Sequence, residues 1–171
     1  MGPVTTYDPR AAGWTVAAHP VSDPESATLL RRYYTELIVR YHGRPTDDDE
    51  VDAVLAQEPS DDLTLPGGEF LVARRGGVPG GCVGLRVLDR DTAELTRMFV
   101  AGEARRQGVA RLLVGAAETV ARDILRARRI RLDTRKDLVE ARALYAGHGY
   151  REIAAYNDSP YADHWFEKPL R

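Results

Sequence analysis

Arg105, Arg106, Gln107, Gly108, Val109 and Ala110 have the types and order that suit recognition of an anion. They follow a strand-like run, Ala93 to Val100, and open a long apolar-periodic stretch from Val109 to about Leu125. A strand, a glycine turn and a helix start leave the first helical amides without intrahelical partners. The macrodipole adds about half a positive charge at that end. Gly108 lets a ligand approach the backbone with no Cβ in the way. Ala110 keeps the first turn thin, and Arg105, Arg106 and Arg111 contribute full charges. The chemistry expected here is the binding of a phosphate-bearing molecule.

The elements that must hold this turn are legible from period and punctuation. Trp14 to Ala18 reads as a first strand, and Asp23-Pro24-Glu25-Ser26 as a helix start. Behind it Ala27, Leu30, Tyr34, Leu37, Ile38 and Tyr41 recur at helical spacing, until His42-Gly43-Arg44-Pro45 ends the helix. Thr46 is expected to cap a second, short helix ending before Pro59. The acids Asp47 to Glu50 then serve as helix-start charge rather than as a metal site. Residues 69–74 and 81–88 flank Gly76 to Gly80, a hairpin by composition.

In a strand over 93–100, residues 94, 96, 98 and 100 share one face and 95, 97 and 99 the other. The helix after the glycine turn buries Val109, Leu112, Leu113, Ala116, Val120 and Ile124. Arg129 to Asp133 reads as a strand and Leu138 to Ala146 as a helix. Tyr150 to Tyr156 and His164 to Lys168 read as two closing strands. The order is β-α-α-β-β-β-α-β-α-β-β, with residues 1–12 a flexible N-terminus and 13–171 a single domain.

The 171 residues suffice to bury about two-thirds of the unfolded surface. Twenty-four Lys and Arg against 26 Asp and Glu leave a net charge of −2, which argues against a nucleic-acid binder. No apolar run approaches the ~20 residues that span a bilayer, and Met1-Gly2-Pro3-Val4 lacks the basic and apolar segments of a secretory signal. A cytoplasmic protein without a membrane partner is expected. Cys82 is the sole cysteine, so it forms no internal disulfide and reads as a small core residue. His19, His42, His148 and His164 show no metal-ligand spacing, and no metal is expected. Arg126, Arg128, Arg129 and Arg131 read as a solvated rim.

Two motifs together point to a family. Arg105-x-x-Gly108-x-Ala110 resembles the pyrophosphate loop of the GCN5-related N-acetyltransferases. Ala141-x-x-Leu144-Tyr145-x-x-x-Gly149-Tyr150 resembles that family's later helix-to-strand motif. The resemblance covers roughly residues 70 to 168 and fades in the N-terminal third. It implies an α/β fold, a mixed, mostly antiparallel twisted sheet of about six to seven strands flanked by about four helices. It implies acetyl-CoA as cosubstrate, held by Met98, Phe99 and Val100 of the strand and by Arg105, Arg106, Gln107, Gly108, Val109, Ala110 and Arg111 of the loop. The strands 93–100 and 129–134 should part to admit the coenzyme.

By the same resemblance, acetyl passes directly to a primary amine of a small molecule. Such a transfer needs a neutral amine and a protonated leaving sulfur, while holding both reactants together supplies much of the rate. Tyr145 sits where many members place the proton donor to sulfur, and a phenol of ordinary pKa ~10 stays protonated at neutral pH. Its bland alternative is a packed helix aromatic. Glu94 sits where several members carry a catalytic base; the alternatives are an ion pair with Arg97 or another cation, and ordered water as base. The asparagine that members often carry seven residues before the tyrosine is Leu138 here, leaving Asp137 as a substitute. The first two helices and the loop Tyr156-Asn157-Asp158 would build the acceptor pocket, with Tyr33, Tyr34, His42 and Asp158 lining it. The resemblance also allows a homodimer, and a non-catalytic acyl-CoA sensor or partner subunit. A P-loop nucleotide module lacks its Gly-Lys-Ser/Thr.

Overall fold

The computed structural model describes residues 2, 4 and 8–171. Among these, seven strands form one sheet: β1 (Trp14–Ala18), β2 (Gly68–Arg75), β3 (Val78–Asp89), β4 (Thr92–Val100), β5 (Arg129–Thr134), β6 (Arg151–Ile153) and β7 (His164–Pro169). Their spatial order is β1-β2-β3-β4-β5-β7-β6, and β4–β5 is the one parallel pair. Four α-helices flank the sheet: α1 (Pro24–His42), α2 (Asp48–Gln57), α3 (Val109–Asp123) and α4 (Val139–Gly147). Fold class and element order are as expected.

Local chemistry explains most boundaries. Asp23 accepts from the Glu25 amide at 2.9 Å to start α1, and Gly43, at φ 66°, ends it by donating to the Val39 carbonyl. The cap of α2 is Asp47 rather than Thr46: the Asp47 carboxylate accepts from the Glu50 amide at 2.9 Å. Thr46 instead donates its hydroxyl to the Glu50 carboxylate at 2.6 Å. An ionised carboxylate is the stronger acceptor for a helix-end amide. Gly76 and Gly77 alone make the hairpin turn, at φ 56° and 78°, a conformation glycine adopts freely. Strand β3 therefore starts at Val78 and takes in Pro79. Strand β6 stops at Ile153, short of Tyr156.

The core lies in two layers. On one face α3 packs Leu112, Leu113, Ala116 and Val120 against Leu71, Leu85, Leu95 and Ile130. On the other, Leu29 and Leu30 of α1 meet Leu63, Phe70, Val72 and Phe99. Cys82 is a buried member of this second layer. Ile124, expected in the α3 stripe, is exposed because the helix ends at Asp123.

The expected faces of β4 are corrected. Opposite Cys82 and Gly84 of β3 stand Phe99 and Thr96 of β4, so β4 carries one extra residue there. Arg97 takes up that extra residue at φ 54°. Met98 and Val100 are thereby rotated onto the α3 face with Leu95, away from the face of Glu94. Part of the N-terminal stretch expected to be flexible has local structure. Pro9–Ala11 is a 3-10 turn capped by Asp8, and Ala11 is 4% exposed within the core. The other members of the 1–12 stretch include residues 1, 3 and 5–7, which lie outside the described residues. Among the described residues no helix is long and apolar enough to cross a membrane.

Candidate active site

The bulge opens the sheet. Strands β4 and β5 pair only at Thr92–Arg129, Ala93–Ile130 and Glu94–Arg131. Beyond that point β5 stays with β7 as far as Thr134, while β4 bends away. The β4 backbone from Leu95 onward therefore faces a gap rather than a strand. This gap leads into a cavity of about 1080 Å³ bounded by α1, β4, β5, α4 and the start of α3. The parting falls where the family resemblance placed it.

At one end of the cavity stands the start of α3. Gly108, at φ 75°, is the residue before the helix, and no side chain caps the amides that follow. Gly108, Val109, Ala110, Arg105, Arg106 and Arg111 all line the cavity. Val109 is buried, with its side chain in the α3 core. The need for glycine at 108 is twofold: the left-handed φ, and a Cβ that would sit 3.0 Å from the Arg10 Cβ and 3.3 Å from the Ala11 nitrogen. The chain behind the loop demands glycine as much as any ligand in front of it. Gly108→Ala is expected to destabilise the fold by about 1–2 kcal/mol, the cost of the left-handed conformation for an L side chain. Denaturant unfolding measures this, and an unchanged midpoint would show that the loop relaxes.

The loop side chains divide between two tasks. Gln107 accepts from Trp14 Nε1 at 3.1 Å and from Arg75 at 2.9 Å, and it donates to the Glu103 carbonyl at 3.2 Å. It thus braces the loop rather than lining the cavity. Arg105 donates to the Val100 carbonyl at 3.1 Å and pairs with Glu36 at 2.5 Å. Arg111 lies 3.7 Å from Asp8. Arg106 is exposed, at φ 63°, with no carboxylate paired to it among the described residues.

Tyr145 and Glu94 line the same cavity. Tyr145, on α4, is 4% exposed and packs edge-on to Tyr150, with ring centroids 5.7 Å apart, and against Phe166. Burial holds its phenol well above the ordinary tyrosine range. Glu94 is 9% exposed. One carboxylate oxygen accepts from Arg86 at 3.1 Å and the other from the Tyr156 hydroxyl at 2.8 Å. Its cationic partner is therefore Arg86, not Arg97.

Leu138 also lines the cavity, whereas the Asp137 carboxylate is taken by Arg135 at 2.7 and 2.9 Å. That pairing argues against Asp137 in the role of the missing asparagine. Tyr33, Tyr34 and His42 line the cavity as expected, and Asn157 and Ser159 do so in place of Asp158.

Sequence reasoning overlooked Arg97 and Asp133, both on the cavity wall. For Asp133 a signal existed: Ile130 and Leu132 alternate with Arg129, Arg131 and Asp133, giving β5 one polar face. For Arg97 there was none, because the bulge that aims it leaves no mark on composition.

The fold is that of the GNAT acetyltransferases, a parted mixed sheet beside an open helix start. A sequence model of the acetyltransferase (GNAT) family matches residues 29–150, and the chain belongs to that family. No curated protein matches the sequence. Solved structures resemble it closely in fold. A GNAT-family acetyltransferase from Staphylococcus aureus superposes with a TM-score of 0.69 at 17% identity, over 92% of this chain and 99% of that one. Spermidine N-acetyltransferase from Vibrio cholerae, in complex with CoA and spermine, gives 0.64 at 18% identity over 93% and 96%. A GNAT-family acetyltransferase from Elizabethkingia anophelis with acetyl-CoA bound gives 0.64 at 17% identity over 93% and 99%.

Proposed function

We propose that this chain moves an acetyl group from acetyl-CoA directly to the primary amine of a small molecule in the cytoplasm. The observation that carries this reading is the parting of β4 from β5 at Glu94, beside the uncapped start of α3. The α3 amides and Arg106 offer donors to a pyrophosphate. The β4 backbone from Met98 to Val100 borders the gap where an extended pantetheine arm would run, with the Val100 carbonyl accepting from Arg105. Relatives of this fold bind CoA or acetyl-CoA, which supports the same donor here.

Within that frame the roles follow from position. Glu94, directly or through ordered water, takes a proton from the acceptor ammonium, and the freed nitrogen attacks the thioester carbonyl. As the carbon–sulfur bond breaks, Tyr145 donates its proton to the departing sulfur. The acylated nitrogen releases its extra proton, which restores the Tyr145 hydroxyl through solvent, and the proton held by Glu94 leaves to bulk water. No residue forms a covalent acyl intermediate, since one cavity holds both reactants and positioning supplies much of the rate. The reading requires no metal.

Acetyl-CoA should raise the melting temperature, because a ligand at 100 times its Kd adds about 2.7 kcal/mol. A panel of small amines with acetyl-CoA, followed by release of free thiol, then reads the transfer itself. Absence of any thermal shift removes acetyl-CoA from the reading. A shift with no turnover across a broad panel favours a non-catalytic acyl-CoA sensor.

A further inference from the structure

Most arginines around the cavity are already matched. Arg86, Arg105 and Arg135 each hold a carboxylate, those of Glu94, Glu36 and Asp137. Arg97 differs. It is 9% exposed, yet among the described residues its guanidinium meets only neutral oxygens. Those are Thr96 Oγ1 at 2.8 Å, Ser60 Oγ at 3.3 Å, and two backbone carbonyls at 3.4 and 3.5 Å. Two of those four contacts are long, and a guanidinium has five N–H groups in a fork that fits a carboxylate. The carboxylate within Coulombic reach, that of Asp62, is hydrogen-bonded to Arg86 instead, and a buried cation without a directly paired counter-charge is costly.

The backbone determines where that cation points. At φ 54° Arg97 leaves the strand alternation, so its guanidinium lies 5.6 Å from the centre of the Tyr34 ring on α1. Its hydrogen bonds run to the connection after α2, on the α1–α2 side of β4 and away from the start of α3. That is the side left for an acceptor once the coenzyme occupies the α3 end.

A pole of opposite sign stands across the gap on β5. Asp133 lines the cavity and accepts one hydrogen bond, from Asn157 Nδ2 at 2.8 Å. The orientation of that amide is fixed, because Asn157 Oδ1 accepts from Trp165 Nε1 at 2.9 Å and from the Ser159 amide at 3.3 Å. Among the described residues no cation forms an ion pair with Asp133.

We infer that the acceptor is a small amino acid, its ammonium drawn to Asp133 and its carboxylate received by Arg97. The inference rests on the acetyl-transfer reading and narrows its acceptor. An amine with a neutral tail satisfies one pole and leaves Arg97 unmatched. An amine bearing a carboxylate satisfies both and is fixed at two ends, with its nitrogen near the parted strands.

The experiment compares acids with their amides. L-amino acids, β-alanine and 4-aminobutyrate are each assayed with acetyl-CoA beside the matching primary amide, and each is titrated calorimetrically into CoA-loaded protein. At least one acid is expected to exceed its amide by about 10²-fold in kcat/KM, the scale of a desolvated, hydrogen-bonded charge pair. Arg97→Gln should collapse that acid-to-amide ratio to near one, which a merely structural loss would not do. Asparagine tolerates a left-handed φ, so Arg97→Asn is the second variant if Gln fails to fold.

Amides that match or outdo every acid in the wild type overturn the inference, as does a ratio that survives both variants. Turnover of neutral amines without acid preference sinks this inference and leaves acetyl transfer standing. Arg97-dependent binding of an acid without any acetylation does the reverse.

Discussion

Replacing Tyr145 by phenylalanine is expected to lower kcat by about 10²-fold or more while acetyl-CoA affinity is nearly kept. The magnitude is that of losing a positioned proton donor. The substitution is clean, because the ring keeps its contacts with Tyr150 and Phe166 and loses only an oxygen. Burial disfavours the phenolate, so the hydroxyl of the native enzyme stays protonated through neutral pH and beyond the ordinary value near ~10. Wild-type kcat should accordingly show no fall attributable to this group as pH rises towards ~10. Steady-state kinetics with calorimetric Kd values separate the two contributions. Weaker coenzyme binding with kcat intact would reassign Tyr145 to cofactor packing.

The second large effect concerns Glu94. If its carboxylate takes the amine proton, Glu94→Gln should cut kcat/KM at neutral pH by about 10²- to 10⁴-fold, the usual range for a general base. The defect should shrink as pH rises. Glutamine keeps the shape and loses proton affinity, so the variant suffers only while the amine arrives protonated. Raising the pH supplies neutral amine from solution and by-passes the missing base. Local structure should tolerate the change: Gln Oε1 can still accept from Arg86, which keeps its pairing with Asp62, and Gln Nε2 can donate to the Tyr156 hydroxyl. A defect equal at every pH would give Glu94 a positioning role, and wild-type rates throughout would remove it from the chemistry.

The element order and the glycine turn that opens α3 were legible because they rest on local signals. Strand alternation, the Asp23-Pro24 start, the Gly43 stop and the apolar stripe of α3 are all written within a few neighbouring residues. What escaped reading depends on pairing between distant segments. The extra residue at Arg97 exists only relative to the register of β3, and it moved Met98 and Val100 to the other face. The partners of Glu94 come from β3 and from the loop after β6, 8 and 62 residues away. No local pattern reports such contacts. The cap of α2 failed for a smaller reason: Thr46 and Asp47 are both good cap types, and the carboxylate of Asp47 is the stronger acceptor for the Glu50 amide.

One consequence concerns the loop before α3. Gln107 ties it to β1 and β2, and the Asp8–Ala11 turn packs behind Gly108. Its conformational entropy is therefore lost when the chain folds, not when a ligand arrives. A receptor ordered in advance binds more tightly for the same contacts. The first strand and the turn preceding it would thus act as a remote determinant of affinity for a ligand bound at this loop, although none of their described residues lines the cavity. Changes there would register as weaker binding long before they registered as altered chemistry.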